Sequence, residues 1–338
     1  MYLRQFQYLI AVVDEGHFGR AAARCNATQP SLSNGVKQLE LELGVPIFLR
    51  GRGQRLHGLT AEGHKIAKWA RLIVSHCESM KDEVAAMQGN LQGTLRIGAM
   101  PSMSPVLPLI LKMVRASFPN IRVEVEFIGY EAMKIALDNF SLDVAIFYTD
   151  EQEVPERRNV LPIYTEYLSL LVPDTPAFAG RTSITWAEAA QLPLALLRSS
   201  THERQFVNNV FETTAGYRPI PKVESESILH LMFQVQFTEL CTVIPSHFAR
   251  LPGLHPGTKA LELIDPVRSR QVGLFWAEAD TIVPMARVMV SIIKTLNKTQ
   301  DLKHLLEDPT TSIDPFTIIQ PRRSLLPETA KIELEEER

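Results

Sequence analysis

Within ten residues, Gln29, Ser31, Ser33, Asn34, Lys37 and Gln38 set out amides, hydroxyls and an ammonium. These groups can exchange hydrogen bonds with base edges in a major groove, provided one rigid element presents them together. A helix would do so. Leu32, Val36, Leu39 and Leu43 recur at steps of four, three and four, which draws one apolar stripe opposite the polar set. Thr28 is placed to cap that helix, and Pro30 falls in its first turn, where a missing N–H costs nothing. Before it, Ala21, Ala22 and Ala23 predict a slim helix that Asn26-Ala27 ends. The spacing therefore predicts two helices joined by a turn of about three residues, the second a recognition helix. The alternative is an ordinary amphipathic pair with a solvated face. Gly35 lies inside the second helix at a cost of up to about 1 kcal/mol against alanine; it either permits close approach to DNA or is merely tolerated.

The flanking segments bear on that choice. A first helix is expected over 3–14, with Phe6, Leu9, Ile10 and Val13 on one face and Gly16 at its end. After Gly44, the run 46–49 is extended and apolar. Arg50, Arg52 and Arg55 then fall around two glycines, the form of a hairpin wing whose arginines suit a narrow minor groove or a phosphate. A solvated turn is the alternative for those arginines. From Thr60 onward Ile66, Ala70, Ile73, Cys77, Met80, Val84 and Met87 step by four and three, a heptad seam with no Pro or Gly before Gly89. A helix of about 29 residues at about 1.5 Å each would reach roughly 43 Å. So long and one-sided a rod predicts pairing with a second copy along the seam, the alternative being packing against its own C-terminal half.

Beyond Gly89–Gly93 the pattern alternates. Strands are expected at 95–98, 123–128, 144–148, 168–172, 194–197 and 272–276. Helices are expected at 106–117, 132–139, 186–190, 202–213, 228–237 and 284–296. This predicts two α/β subdomains with mostly parallel sheets. The fold class is thus α/β plus all-α, with boundaries at 1–60, 61–92, 93–300 and 301–338. Within 93–300, the first subdomain takes 93–165 and 269–300 and the second 166–268, with crossings at 168–172 and 270–276. The prolines and closing acidic run of 301–338 read as a partly disordered appendage.

Net charge is −3, yet residues 1–90 hold eleven basic against eight acidic side chains, so the positive share sits at the N-terminal end. Cys25, Cys77 and Cys241 are distant and odd in number, which argues against a disulfide framework or a zinc site. No leader or membrane-spanning run is seen, and a cytoplasmic protein is expected. No GxSxG, GxxxxGK[ST], HExxH or strand-borne GxGxxG occurs, and the nine histidines are scattered, so an enzyme is not expected. A plain solute receptor would leave the first 90 residues without purpose. An architectural DNA protein would not need a bilobal cleft.

The ordered set Leu3-Arg4-Gln5-Phe6, Phe18, Ala21-Ala22, Gln29-Pro30-Ser31-Leu32-Ser33, Ile47-Phe48, Arg50, Leu59-Thr60 and Gly63, followed by a long helix and Gly93-Thr-Leu-Arg-Ile-Gly98, resembles the LysR-type transcriptional regulators over about residues 1–300. The resemblance implies a winged helix-turn-helix, a linker helix and a two-subdomain, Rossmann-like effector domain of the periplasmic-binding-protein type. It implies a dimer, usually assembled as a tetramer, on an interrupted palindrome in double-stranded DNA, with RNA polymerase a candidate contact and no membrane. It also implies a small-molecule effector and no cofactor or metal. One departure is Thr238-Glu239-Leu240, where family members often carry two glycines.

Ligands in such folds sit at the carboxyl ends of strands, between subdomains. Pro101, Ser102, Met103 and Ser104 follow the first strand. Arg198, Ser199, Ser200, Thr201, His202 and Arg204 end a later strand and open a helix, and Ser227 precedes a third. Hydroxyls, helix N-termini and basic side chains together favour a small carboxylate or other anion. Taken singly, Ser102, Ser104 and Thr201 could equally be helix caps.

Overall fold

In the computed structural model, which describes residues 1–50, 56–87, 91–149, 158–251, 256–277, 284–299, 302 and 306, the first apolar stripe becomes α1 (Leu3–Glu15). Gly16 ends it with a left-handed φ of 59°. His17 caps α2 (Phe18–Arg24) by accepting the Gly19 N–H on Nδ1 at 2.9 Å. Asn26, at φ 50°, turns the chain into α3 (Gln29–Leu43), whose cap Thr28 accepts the Ser31 N–H at 3.4 Å. Leu9, Val12, Ala21, Leu32, Val36, Leu39 and Ile47 form the fully buried centre of this domain.

Gly35 has a role that neither sequence alternative anticipated. A Cβ there would stand 2.7 Å from Cδ2 of Tyr8, so the missing side chain lets α3 close on α1. It faces the protein's own core and not DNA.

The wing is an antiparallel pair, β1 (Phe48–Arg50) and β2 (Leu56–Leu59), with Phe48 opposite Leu59. Glu40 of α3 accepts the backbone N–H groups of Ile47 and Phe48 at 2.9 and 3.3 Å, fixing the wing's base to the recognition helix. The side chain of Arg50, and Arg52 and Arg55 entirely, lie outside the described residues. Thr60 caps the next helix, α4 (Ala61–Met87), by accepting the Gly63 N–H at 2.8 Å. A Cβ on Gly63 would run into the Ile47 carbonyl, so glycine here seats α4 on the wing.

The remainder is built on one eight-stranded sheet. Its elements in chain order are β3 (Gly93–Ala99), α5 (Leu107–Ser117), β4 (Ile121–Phe127), α6 (Tyr130–Asp138), β5 (Val144–Tyr148), β6 (Arg158–Pro173), β7 (Ser183–Thr185), α7 (Trp186–Ala189), β8 (Ala195–Leu197), α8 (His202–Ala215), β9 (Val223–Ser225), α9 (Ile228–Phe237), β10 (Thr242–Pro245), α10 (Ser246–Ala249), β11 (Thr258–Ile264), β12 (Ser269–Ala277) and α11 (Pro284–Thr299). The strand order is β4-β3-β5-β12-β6-β11-β7, with β10 also on β6 and a separate β8–β9 pair. Every residue of β5 is buried, as its unbroken apolar run requires for a strand flanked on both sides.

The sheet is mixed, not mostly parallel. β3 runs parallel to β4 and β5, whereas β12 is antiparallel to β5 and β6, and β10 and β11 are antiparallel to β6. The physical reason is β6. Its first ten residues pair with β12 in one subdomain and its last six with β10 and β11 in the other, so outgoing and returning strands lie side by side. The expected crossings are stretches of these two longer strands. The short β7, β9 and β10 carried too little periodicity to be seen in the sequence, and the seven-residue β11 was missed as well.

The turn lacking the usual glycines is made differently. The Thr238 hydroxyl donates to the Gln234 carbonyl and accepts the Leu240 N–H at 3.1 Å, and none of residues 238–240 takes a positive φ. Of the C-terminal appendage, Leu302 and Leu306 are buried in the first subdomain's core; the rest of 301–338 lies outside the described residues. No helix among the described residues is long and apolar enough to cross a membrane.

Candidate nucleic-acid interface and ligand cleft

On α3, burial of Leu32, Val36 and Leu39 forces the opposite face outward. Gln29, Pro30, Ser31, Asn34, Lys37 and Gln38 are exposed and Ser33 half-exposed. One rigid helix thus holds all seven predicted residues at the surface. Around it, Asp14 of α1 ties the neighbouring helices together, pairing with Arg71 of α4 and with Arg24 of α2 at 3.0 Å.

The expected dimer seam requires a correction. Ala70 is fully buried, because the first half of α4 lies on α1, and is not available to a partner helix; Ile66 is half-buried against the same core. The outward apolar side chains are Trp69 (64% exposed), Ile73 (37%), Met80 (62%) and Val84 (52%), spaced four, seven and four. Cys77 is half-buried, and the side chain of Met87 lies outside the described residues. Trp69 was missed, although its spacing to Ile73 and Met80 was legible.

Between the subdomains lies a cavity of about 410 Å³. Met100 and Pro101 reach it from the end of β3, Phe127 to Ala132 from the end of β4, and Phe147 and Tyr148 from the end of β5. From the second subdomain come Leu197, Ser200, Thr201, His202 and Glu203 after β8, and Glu226 and Ile228 after β9. Thr201 also caps α8, accepting the Arg204 N–H at 3.3 Å. The Tyr130 and His202 rings meet across the cleft at 4.8 Å. A recess of about 30 Å³ continues inward past Tyr148, Leu197, Glu203 and Ile228, lined also by Ser102, Glu166 and Arg270.

Of the predicted ligand contacts, Pro101, Ser200, Thr201 and His202 line the cavity and Ser102 the recess. The others are placed elsewhere. Met103 is in the core, its sulfur accepting the Tyr164 hydroxyl at 3.2 Å. Ser104 donates to the Pro101 carbonyl, and Ser199 is exposed away from the lining. Ser227 caps α9, accepting the His230 N–H at 3.2 Å. The two arginines expected to receive an anion are committed. Arg198 pairs with Glu226 at 2.8 Å, and buried Arg204 donates to Asn208 Oδ1 at 2.7 Å, the Leu197 carbonyl at 2.6 Å and Glu224 at 3.0 Å. The acidic and aromatic lining from β4 and β5 was missed. The rule that ligands meet strand carboxyl ends applied to those strands as much as to β3.

The floor of the cleft is a buried polar cluster. Glu166 accepts hydrogen bonds from the Tyr148 hydroxyl and, at 3.2 Å, the Tyr164 hydroxyl. Burial pushes Glu166 up to about 7, although both phenols and Arg270 favour its charged form. Burial and the neighbouring carboxylate hold both tyrosines well above their usual range. Arg270 faces Glu166 across the β12–β6 pair and lays its guanidinium 3.5 Å from the Tyr148 ring centre. His247 donates from Nε2 to the Ser102 carbonyl at 3.1 Å, tying the second subdomain to the first, and burial brings it down to about 4. With hydrogen-bonding groups, aromatic walls and carboxylates around one enclosed space, the cleft is equipped to recognise a small molecule by shape and charge.

Known proteins agree with both halves. Residues 3–64 match the profile of bacterial regulatory helix-turn-helix proteins of the lysR family, and residues 88–297 match the LysR substrate binding domain. The chain is 29% identical over 289 residues to a hydrogen peroxide-inducible genes activator of Haemophilus influenzae, covering 82% of this chain and 90% of that protein. It is 28% identical over 279 residues to the DNA-binding transcriptional dual regulator OxyR of Escherichia coli, covering 82% and 89%. Full-length OxyR of Pseudomonas aeruginosa, solved as a variant, superposes with a TM-score of 0.69 at 27% identity, covering 87% of this chain and 95% of that one. CbnR, solved in complex with its target DNA, shares the fold with a TM-score of 0.62 at 20% identity, covering 87% and 99%. With both domain profiles matched in order over most of its length, the chain belongs to the LysR family of bacterial helix-turn-helix transcriptional regulators.

Proposed function

We propose that this regulator reads an interrupted palindromic operator with two copies of α3 and the wing, and that a small molecule in the cleft alters how the heads engage DNA. The observation that carries the proposal is the outward polar face of α3 on a fully buried apolar stripe. Gln29, Ser31, Ser33, Asn34 and Gln38 meet base edges; Lys37, Arg50, Arg52 and Arg55 meet phosphates. Two copies joined along Trp69, Ile73, Met80 and Val84 hold their heads about 34–36 Å apart or a multiple of that. Exposed Leu229, Phe233 and Phe237 on α9 supply a further apolar surface suited to tetramer assembly in the cytoplasm.

The effector is not proposed to be an anion received by Arg198 and Arg204, since each is paired with a glutamate. Nor is it proposed to be peroxide, despite the names of the relatives. Peroxide chemistry needs an accessible thiol of low pKa. Burial raises Cys25 and pushes Cys241 up to about 12, and none of the three cysteines lines the cleft.

A gel-shift titration against the gene's own upstream region at several salt concentrations tests the proposal. Specific retention is expected, with log affinity falling linearly in log salt. Gln29→Ala should change sequence preference, whereas Arg52→Ala should weaken all sequences alike. Sequence-indifferent binding, or the reverse pattern in the variants, overturns it.

A further inference from the structure

The cleft carries more negative than positive charge, unevenly matched. Glu131, Glu203 and Glu226 line it, with His202 the one basic side chain among its described lining residues. On the rim, Glu226 is matched by Arg198 at 2.8 Å. Half-buried Glu203 is different: it borders both the cavity and the inner recess, and no hydrogen bond or ion pair from a described residue holds its carboxylate.

A second feature points the same way. The Ser102 hydroxyl lines that recess, is fully buried, and has no hydrogen-bond partner. A buried hydroxyl without a partner can donate or accept, and in the recess that Glu203 borders its oxygen is open to a donor that the carboxylate can share. Arg270, also in the recess, does not answer Glu203. Its guanidinium lies on the Tyr148 ring and faces Glu166 across the strand pair. The N-terminus of α8 contributes only about half a positive charge, against a full negative charge on Glu203. Tyr130, Phe147 and Tyr148 give the cavity aromatic walls, which accept a cation or an apolar body.

We propose that the cleft takes a small organic cation, an apolar body bearing a protonated amine, with the ammonium set against Glu203 and the Ser102 hydroxyl oxygen. The ammonium donates to both oxygens while the body lies in the cavity against the wall that Tyr130 and Phe147 form together. This rests on the receptor reading above and narrows it to one charge class.

Thermal-shift and calorimetric titrations of the full-length protein with phenethylamine, phenylacetate and 2-phenylethanol, three probes of nearly equal size, test the assignment. The amine is expected to bind most tightly. Glu203→Gln should weaken it about ten- to a hundredfold, the range of one charge-assisted hydrogen bond, while Glu203→Asp keeps most of the affinity. Ser102→Ala should cost several-fold and keeps the test open should Glu203→Gln not fold. Preference for phenylacetate, equal response to all three, no response to any, or Glu203→Gln and Ser102→Ala binding the amine like the parent overturns the assignment. Operator binding measured in parallel separates the two proposals. Retained DNA binding with phenylacetate preferred sinks only the charge class, whereas amine binding without operator binding sinks only the regulator mechanism.

Discussion

Replacing Gly35 with alanine sets helix propensity against packing, and the structure says which wins. Alanine is favoured over glycine inside a helix by up to about 1 kcal/mol. The new Cβ, however, would lie 2.7 Å from Cδ2 and 3.2 Å from Cε2 of Tyr8. Ordinary contact begins near 3.4 Å, so α3 and the Tyr8 ring must separate by roughly 0.7 Å. Tyr8 is buried against the same core and cannot swing aside. Overpacking of this kind costs about 1–3 kcal/mol, so the expected net loss is about 0–2 kcal/mol. Native-state hydrogen exchange on the amides of α1 and α3 in the full chain reads this local stability. The decisive comparison is with Tyr8→Ala. In that background Gly35→Ala meets open space and should stabilise by up to about 1 kcal/mol, a reversal of sign. The same change in both backgrounds would refute the packing account. Unaltered exchange combined with lost operator affinity would return Gly35 to the DNA surface.

Two further outcomes follow from buried charge and exposed apolar surface. Glu166 sits at about 7 in the fold against an ordinary 4.5, so its contribution is whole below pH 4.5 and is lost as pH rises through 7, about 3 kcal/mol in all. His247, at about 4 against 6.5, works oppositely: its contribution is whole above pH 6.5 and is lost as pH falls through 4. The Tm advantage of Glu166→Gln over the parent should therefore grow between pH 5 and 8, and a pH-independent difference would reject the assignment. Glutamate at both Met80 and Val84 should leave the helical signal in circular dichroism unchanged, because both side chains are more than half exposed. Sedimentation should nevertheless show a smaller species. An unchanged assembly would rule out the outer face of α4 as the dimer contact.

Much of this protein was decided locally. The α3 stripe and its Thr28 cap, the boundaries of β5 and α9, and the polar set from Gln29 to Gln38 all follow from side-chain period and cap chemistry, which act over a turn or two and so stand written in order along the chain. What the sequence could not decide was how surfaces are shared between distant segments. Ala70 fits a heptad seam as well as Trp69 does, and only the seating of α1 on α4 assigns one inward and the other outward. Arg198 and Arg204 look like anion receptors until Glu226 and Glu224, 28 and 20 residues further along, are folded against them. Likewise Gly35 is a weak helix residue until Tyr8 lies over it. The parallel or antiparallel sense of the sheet waited on β6 crossing both subdomains, since pairing direction belongs to the path of the whole chain and to no one strand's residues. The cleft's acidic character arises in the same way, from strand ends that meet only when the two subdomains close on each other.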